Sequence, residues 1–247
     1  MEHLVGLVLL AGELLLTCGA EMYRVEETIE RMGKAAGFTQ VEGFATPTGL
    51  FISLHTADGH VYTRVRRIRQ SFNNLSTIAR VNSLSRAFSE GTITATQVGE
   101  ELEELRITSK PDTIWGRLIG GVGALAFTLI FGGTWFEGVI AGLTGALVLV
   151  LVAWLDRYPV PKVLQAAMGG MFAAGVILWA SRVLAIHPDM TTLGAVMVMT
   201  PGVAMTTAIR DLLSGELLSG LSRSAEALAV SVAIATGVAI VISLGGR

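Results

Sequence analysis

Apolar residues are spread along this chain in two regimes. From Met1 to Gly116 they alternate with charged positions at short spacing; from Arg117 onward they run in long blocks. The first apolar run, Leu4 to Leu16, is interrupted by Glu13 and is short for a bilayer crossing. It predicts a buried helix of the polar region, with a sixth membrane span as the alternative. A second helix is expected over Ala20 to Ala36, where Val25, Ile29 and Met32 recur at helical spacing, with Gly37 ending it. Three strands follow by pattern, Phe38 to Phe44, Leu50 to Thr56 and His60 to Val65, the last two joined through Asp58-Gly59 as a hairpin. A helix from Ile68 to Ser89, a break at Gly91 and an amphipathic helix from Thr94 to Leu105 complete this part. Thr94 and Gln97 form a capping box for the last helix.

The second regime predicts five membrane spans: Ile114 to Phe131, Trp135 to Leu155, Val163 to Leu184, Met190 to Ile209 and Leu221 to Leu244. Each is close to the roughly 20 residues that cross a bilayer. Ser109-Lys110-Pro111-Asp112 reads as a linker. The expected fold class is therefore a membrane α-helical bundle of five transmembrane helices (residues 113–247) behind an N-terminal cytoplasmic α/β domain (residues 1–112). Orientation follows from the connections. Gly132-Gly133-Thr134 carries no Lys or Arg, whereas the segment from Asp156 to Lys162 holds Arg157 and Lys162. The positive-inside rule then places the N-terminus in the cytoplasm and the C-terminus outside, in a bacterial inner (plasma) membrane, with Arg182 dissenting. An odd number of spans means that a partner half of similar build would be inverted, and no second copy is present here.

Composition agrees with this division. Just over half of the residues are hydrophobic, which is a membrane-class value. The 11 Lys/Arg and 14 Asp/Glu up to Gly116 fall to 7 and 6 thereafter. Net charge is near zero and there is no basic run, which excludes a nucleic-acid partner. Cys18 is the lone cysteine, so there is no internal disulfide and no cysteine-built metal site. The start Met1-Glu2-His3 lacks the basic region of a secretory signal. His55 and His60 flank the hairpin without opposing each other, because direct pairing sets Ala57 against His60. No metal or other cofactor is expected. No Walker loop is present, so direct use of ATP is not expected.

The richest window lies between the last two spans. Pro201-Gly202, Gly215 and Gly220 break it, and Arg210, Asp211, Glu216, Arg223 and Glu226 charge it. Charges and unsatisfied backbone near a bilayer are expensive, so their concentration points to a polar path. Arg210 suits a carboxylate held in a bidentate fork. Asp211 and Glu216 suit proton uptake and release. The alternative is a set of interfacial pairs, Arg210 with Asp211 and Arg223 with Glu226. Glu137, just inside the second span, reads equally as a proton-accessible carboxylate or as a cap on its helix start beside Gly133-Thr134. On the second helix Glu21 and Arg24, three apart, can pair along one face. With Glu26 they read as a domain contact or a gate at the cytoplasmic mouth, or as a solvated helix face. Thr46-Pro47-Thr48-Gly49 is a rigid hydroxyl-bearing turn or a plain strand connection. Glycines at close spacing (120, 121, 123; 138, 142, 145; 169, 170) argue for tight span packing.

Three of these segments carry a resemblance. Gly19-Ala20-Glu21-Met22-Tyr23-Arg24-Val25-Glu26-Glu27-Thr28 resembles the opening signature of the threonine/serine exporter family. Thr46-Pro47-Thr48-Gly49 resembles its strand-region motif, and the window from Pro201 to Arg223 resembles its late signature. The three fall in the family's order across nearly the whole chain. The resemblance implies efflux of a small carboxylate, either threonine/serine or a C4 dicarboxylate such as succinate, by a secondary transporter. Fused members carry a second membrane region, so this chain resembles the large subunit of the split form, completed by a second small membrane protein. Membrane carboxylates without a nucleotide motif suggest proton coupling. The bilayer and a homo-oligomer are further partners compatible with this reading. The rival readings are a membrane-tethered enzyme, which lacks a nucleophile elbow or ligand cluster, and a sensory or scaffold protein acting through its cytoplasmic domain.

Overall fold

The computed structural model describes residues 1–69, 71–109 and 114–245. The linker residues Lys110, Pro111 and Asp112, and with them the expected boundary at 112/113, lie outside the described residues. Contacts divide the chain into two compact units, Met1–Pro111 with Val203–Ser224 and Asp112–Gly202 with Ala225–Arg247. The late window, remote in sequence, thus belongs to the same unit as the N-terminal residues.

In the first unit α1 (Glu2–Thr17) is apolar nearly all round and is buried along most of its length. A helix with no polar face must be covered on several sides, and α1 contacts α2 (Met22–Ala35), α3 (Leu75–Ser89), α4 (Ala95–Thr108) and the sheet. The sheet is an antiparallel meander of β1 (Gln40–Thr46), β2 (Gly49–His55) and β3 (Val61–Arg67). Leu50, Ile52 and Leu54 of β2 point inward at period two, with Phe51 on the other face. Gly12 and Gly33 allow the layers to approach: an added Cβ would lie 2.7 Å from Leu50 Cδ2 and 2.6 Å from Val41 Cγ2 respectively.

Several expectations are corrected. β1 runs two residues later than predicted, β2 one residue earlier, and β3 starts one and ends two residues later. His55 pairs with Val61, and Thr56 N–H donates to the His60 carbonyl, so the connection is the three-residue loop Ala57-Asp58-Gly59 rather than a two-residue turn. The expected helix from Ile68 starts only at Leu75, capped by the Asn74 side chain on Thr77 N–H. Its intended first turn is drawn off by long-range backbone bonds: Ile68 N–H to Thr48 O, Phe72 N–H to Thr17 O and Asn74 N–H to Cys18 O. The Thr94–Gln97 capping box of α4 is present as expected.

The second unit holds α5 (Ile114–Ile130), α6 (Trp135–Leu155), α7 (Lys162–Ser181), α8 (Pro188–Val196) and the main part of α10 (Leu217–Gly245). Three helices, α6, α7 and α10, are long and apolar enough to cross a membrane; α5 is a shorter apolar helix. The fourth expected span is not one helix. α8 ends in a 3-10 turn (Met197–Met199), and after Thr200-Pro201 the chain resumes as α9 (Gly202–Leu213), bent by 56°. Pro201 lacks an amide hydrogen and its ring excludes the preceding turn from continuing as helix. Gly215, at φ +89°, makes the turn between α9 and α10. Gly220 is not a break: it lies inside α10, where a Cβ would sit 2.6 Å from Leu212 Cγ and 2.9 Å from Ala208 O of α9. The expected close packing is seen at Gly121 against Gly142 O (2.8 Å from an added Cβ) and at Gly170 against Ile234 O (2.6 Å).

Candidate functional site

The site is assembled where the early and late motifs meet. Gly19, at φ +81°, turns the chain after α1; a Cβ there would lie 2.7 Å from Asn73 Oδ1, so any other residue is strained and must displace Asn73. Ala20 and Glu21 then lead into α2. Glu21 occupies the N-cap, yet its side chain makes no capping bond. The first N–H groups of a helix need acceptors, and one comes from far away. Met22 N–H donates to Oδ1 of Asp211 at 3.3 Å, across 189 positions of sequence. A carboxylate there also meets the positive end of the helix dipole.

Asp211 is fully buried. Its Oδ2 makes no hydrogen bond among the described residues, and Arg223 Nε lies 3.5 Å from it. Arg223, on the first turns of α10, also donates from Nη2 to the Ala20 carbonyl at 3.0 Å. The loop before α2 is therefore held from both sides by one ion pair. Beside it, Glu21 takes Arg24 Nε at 2.7 Å and Arg210 Nη1 on its other oxygen. Burial would raise the Glu21 carboxyl, but hydrogen bonds from Tyr23 and Arg210 and the charges of Arg24 and Arg210 outweigh it and hold it below the usual range. Arg210 and Arg24 remain open, at 59% and 46% side-chain exposure, while Glu21 shows only 11%.

Glu26 adjoins this cluster. It accepts Ala45 N–H at 2.8 Å, next to the Thr46–Gly49 turn. Burial raises its carboxyl, the Ala45 amide opposes that, and the charge of Glu216 adds to the rise. Thr46 closes its own turn by donating to the Gly49 carbonyl, Thr48 O accepts from Ile68, and Pro47 is half-buried between them. Glu21, Arg24, Arg210, Asp211 and Arg223 thus come together, with Glu26 and Glu216 beside them. The local pairs Arg210–Asp211 and Arg223–Glu226 are not formed; each arginine takes an acid from elsewhere. What sequence reasoning missed is mostly backbone, the Met22 amide and the Ala20 carbonyl, together with the Tyr23 hydroxyl. No spacing rule announces an acceptor 189 residues distant.

The remaining sequence-predicted residues lie in the second unit. Glu226 pairs with Lys162 at 3.2 Å. Pro201 and Gly202 form the bend already described. Glu137 is buried and closes a capping box with Thr134 through Oε2, while Oε1 accepts both the backbone N–H of His187 (2.6 Å) and its Nδ1 (2.8 Å). Glutamine offers a single acceptor oxygen, so Glu137→Gln leaves either Thr134 or His187 facing an amide NH2. Thermal unfolding in detergent should show a loss of about 1–2 kcal/mol; unchanged melting would remove Glu137 from the role of joining these two segments. An open apolar groove of about 490 Å3 also lies in this unit, with Asp189, Thr192, Thr200 and Ser231 as its polar lining. No group of three or more metal-ligating side chains occurs among the described residues.

A family model described as "Putative threonine/serine exporter" matches residues 6–245. The chain is 26% identical, over 99% of its length, to a "Probable threonine/serine exporter" of Mycobacterium tuberculosis, and spans 46% of that relative. It is 22% identical to the "Probable succinate transporter subunit YjjP" of Escherichia coli, covering 95% of this chain and 92% of the relative. The protein of the same name from Klebsiella aerogenes is 20% identical, covering 94% of this chain and 90% of the relative. No solved structure matches.

Proposed function

We propose, from the premise that this chain belongs to the threonine/serine exporter family, that it is a secondary-transporter subunit exporting a small carboxylate. The substrate is threonine/serine or a C4 dicarboxylate such as succinate. The observation that carries this reading is Arg210. Its guanidinium is exposed, already pairs with a carboxylate, and sits near the end of α9, the second helix of the bent pair. A planar guanidinium in that state is suited to the group both substrate classes share.

Proton coupling is proposed for Asp211, a buried carboxylate with one oxygen short of a hydrogen bond, with Arg223 as its counter-charge. Glu21, Arg24 and Glu26 act as the contact that opens or closes a cytoplasmic gate. We place the N-terminal domain in the cytoplasm and the C-terminus outside, in the inner membrane, with α5 and the α8–α9 pair as the spans that complete five. At 17 residues α5 reaches about 26 Å, slightly less than the hydrocarbon core. A second small membrane protein supplies the other half of the path, in keeping with the word "subunit" in the Escherichia coli relative's name and the greater length of the mycobacterial one.

Counterflow in liposomes tests this. Labelled threonine, serine and succinate are tried with this chain alone and with its candidate partner. Saturable counterflow that needs both chains is expected, and net efflux from the same vesicles should fall when the pH gradient and membrane potential are collapsed. Well-folded protein that moves none of the three would overturn the assignment, and net efflux indifferent to the collapsed gradient would remove the proton.

A further inference from the structure

Resting on that reading, we infer that Glu21 is an internal stand-in for the substrate carboxylate, which must leave Arg210 before substrate can bind there. Two guanidinium groups each holding one oxygen of the same carboxylate is the arrangement a bound carboxylate ligand adopts. Here Arg210 hydrogen-bonds Oε1 of Glu21, while Arg24 Nε pairs by charge with Oε2 at 2.7 Å and gives its hydrogen bond to the Tyr23 hydroxyl, leaving Oε2 short of a donor. Both arginines are about half exposed, so a free carboxylate can approach them from solvent, whereas Glu21 reaches them from the buried side. Glu21 is Arg210's one partner among the described residues.

Glu21 is placed for release as well as for binding. It stands at the N-cap of α2 without capping it; that work falls to Asp211, through Met22. Freeing the Glu21 side chain therefore leaves the helix start intact and the Asp211–Arg223 pair undisturbed. The tether between the early and late motifs loosens on one side only. Once the exchange is complete, Arg210 again faces one carboxylate group, and Glu21 keeps Arg24 as its counter-charge. Because the internal carboxylate is always at hand, it lowers the apparent affinity for any external one by the fraction of time it occupies the arginine.

The test uses the full chain in detergent, with phenylglyoxal modifying accessible arginines and mass spectrometry reading Arg210 and Arg24 separately. Wild type, Glu21→Gln and Glu21→Asp are titrated with succinate and with threonine, and with uncharged succinamide as control. In Glu21→Gln, modification of Arg210 should be faster. The concentration of at least one carboxylate giving half-protection should be roughly three- to tenfold below that of wild type. Glu21→Asp, one methylene shorter, should fall between the two and serves if the glutamine variant does not fold. Equal or weaker protection in Glu21→Gln, while wild type is protected, would overturn the competition and leave the substrate assignment of Arg210 standing. Protection by neither carboxylate in any variant, or equal protection by succinamide, would overturn the substrate role itself and the competition with it.

Discussion

Arg223→Ala is expected to lower stability by about 3–5 kcal/mol, the largest loss from any single change in the first compact unit. Asp211 has no exposed surface, and Arg223 is the cation facing it, with 14% of its own side chain exposed. Truncating the arginine leaves a buried carboxylate without its counter-charge. It also removes the donor to the Ala20 carbonyl, a second buried acceptor. Removing both charges should cost far less than removing one. Arg223→Met combined with Asp211→Asn leaves no buried charge, and the asparagine oxygen can still accept from Met22. The double variant should therefore melt well above Arg223→Met alone, and the cycle of wild type, Arg223→Met, Asp211→Asn and the double gives the coupling. Asp211→Asn alone should be milder, because Arg223 keeps Ala20. A melting temperature for Arg223→Ala within about a degree of wild type would mean that Asp211 is not the buried charge the geometry describes.

Sequence legibility differed sharply between elements and contacts. Helix α1 could be read as a buried element because its run is apolar yet too short to span. The α4 start could be read because a capping box is a local, three-residue device. The onset of α3 could not. Residues after Ile68 have no sequence feature forbidding helix, and their backbone goes instead to Thr48, Thr17 and Cys18, partners visible only once the chain has folded. The same limit applies at the site. The residues were legible as charges in an expensive place, and Glu21–Arg24 was legible as a pair three apart. Arg210 and Arg223 drew local partners in the sequence reading because neighbours are the only geometry a sequence supplies. Their actual acids, Glu21 and Asp211, were each part of a recognised motif; what was missing was that the two motifs are one structure. Glu137 shows the converse. Its cap on Thr134 is local and stands as one of the two readings its position allows, while its bonds to His187, 50 positions on, have no local sign.

Arg210→Ala is expected to abolish saturable flux, lowering the ratio of maximal rate to half-saturating concentration by roughly 100-fold, in line with loss of a charged hydrogen-bonding fork. Folding should hardly change. Arg210 is more than half exposed, and Glu21 keeps Arg24 when Arg210 is gone. An ion pair with one partner open to solvent is screened, and losing it should cost about 1 kcal/mol. The two arginines of the late motif thus predict opposite signatures. Arg223→Ala should show in the melting curve first, whereas Arg210→Ala should show in transport with the melting curve nearly unmoved. Arg210→Lys sharpens the contrast, since lysine keeps the charge but loses the planar fork, and should recover part of the rate. If Arg210→Ala carries substrate within about twofold of wild type, the exposed guanidinium belongs to the tether alone, and the carboxylate path must run elsewhere in the protein.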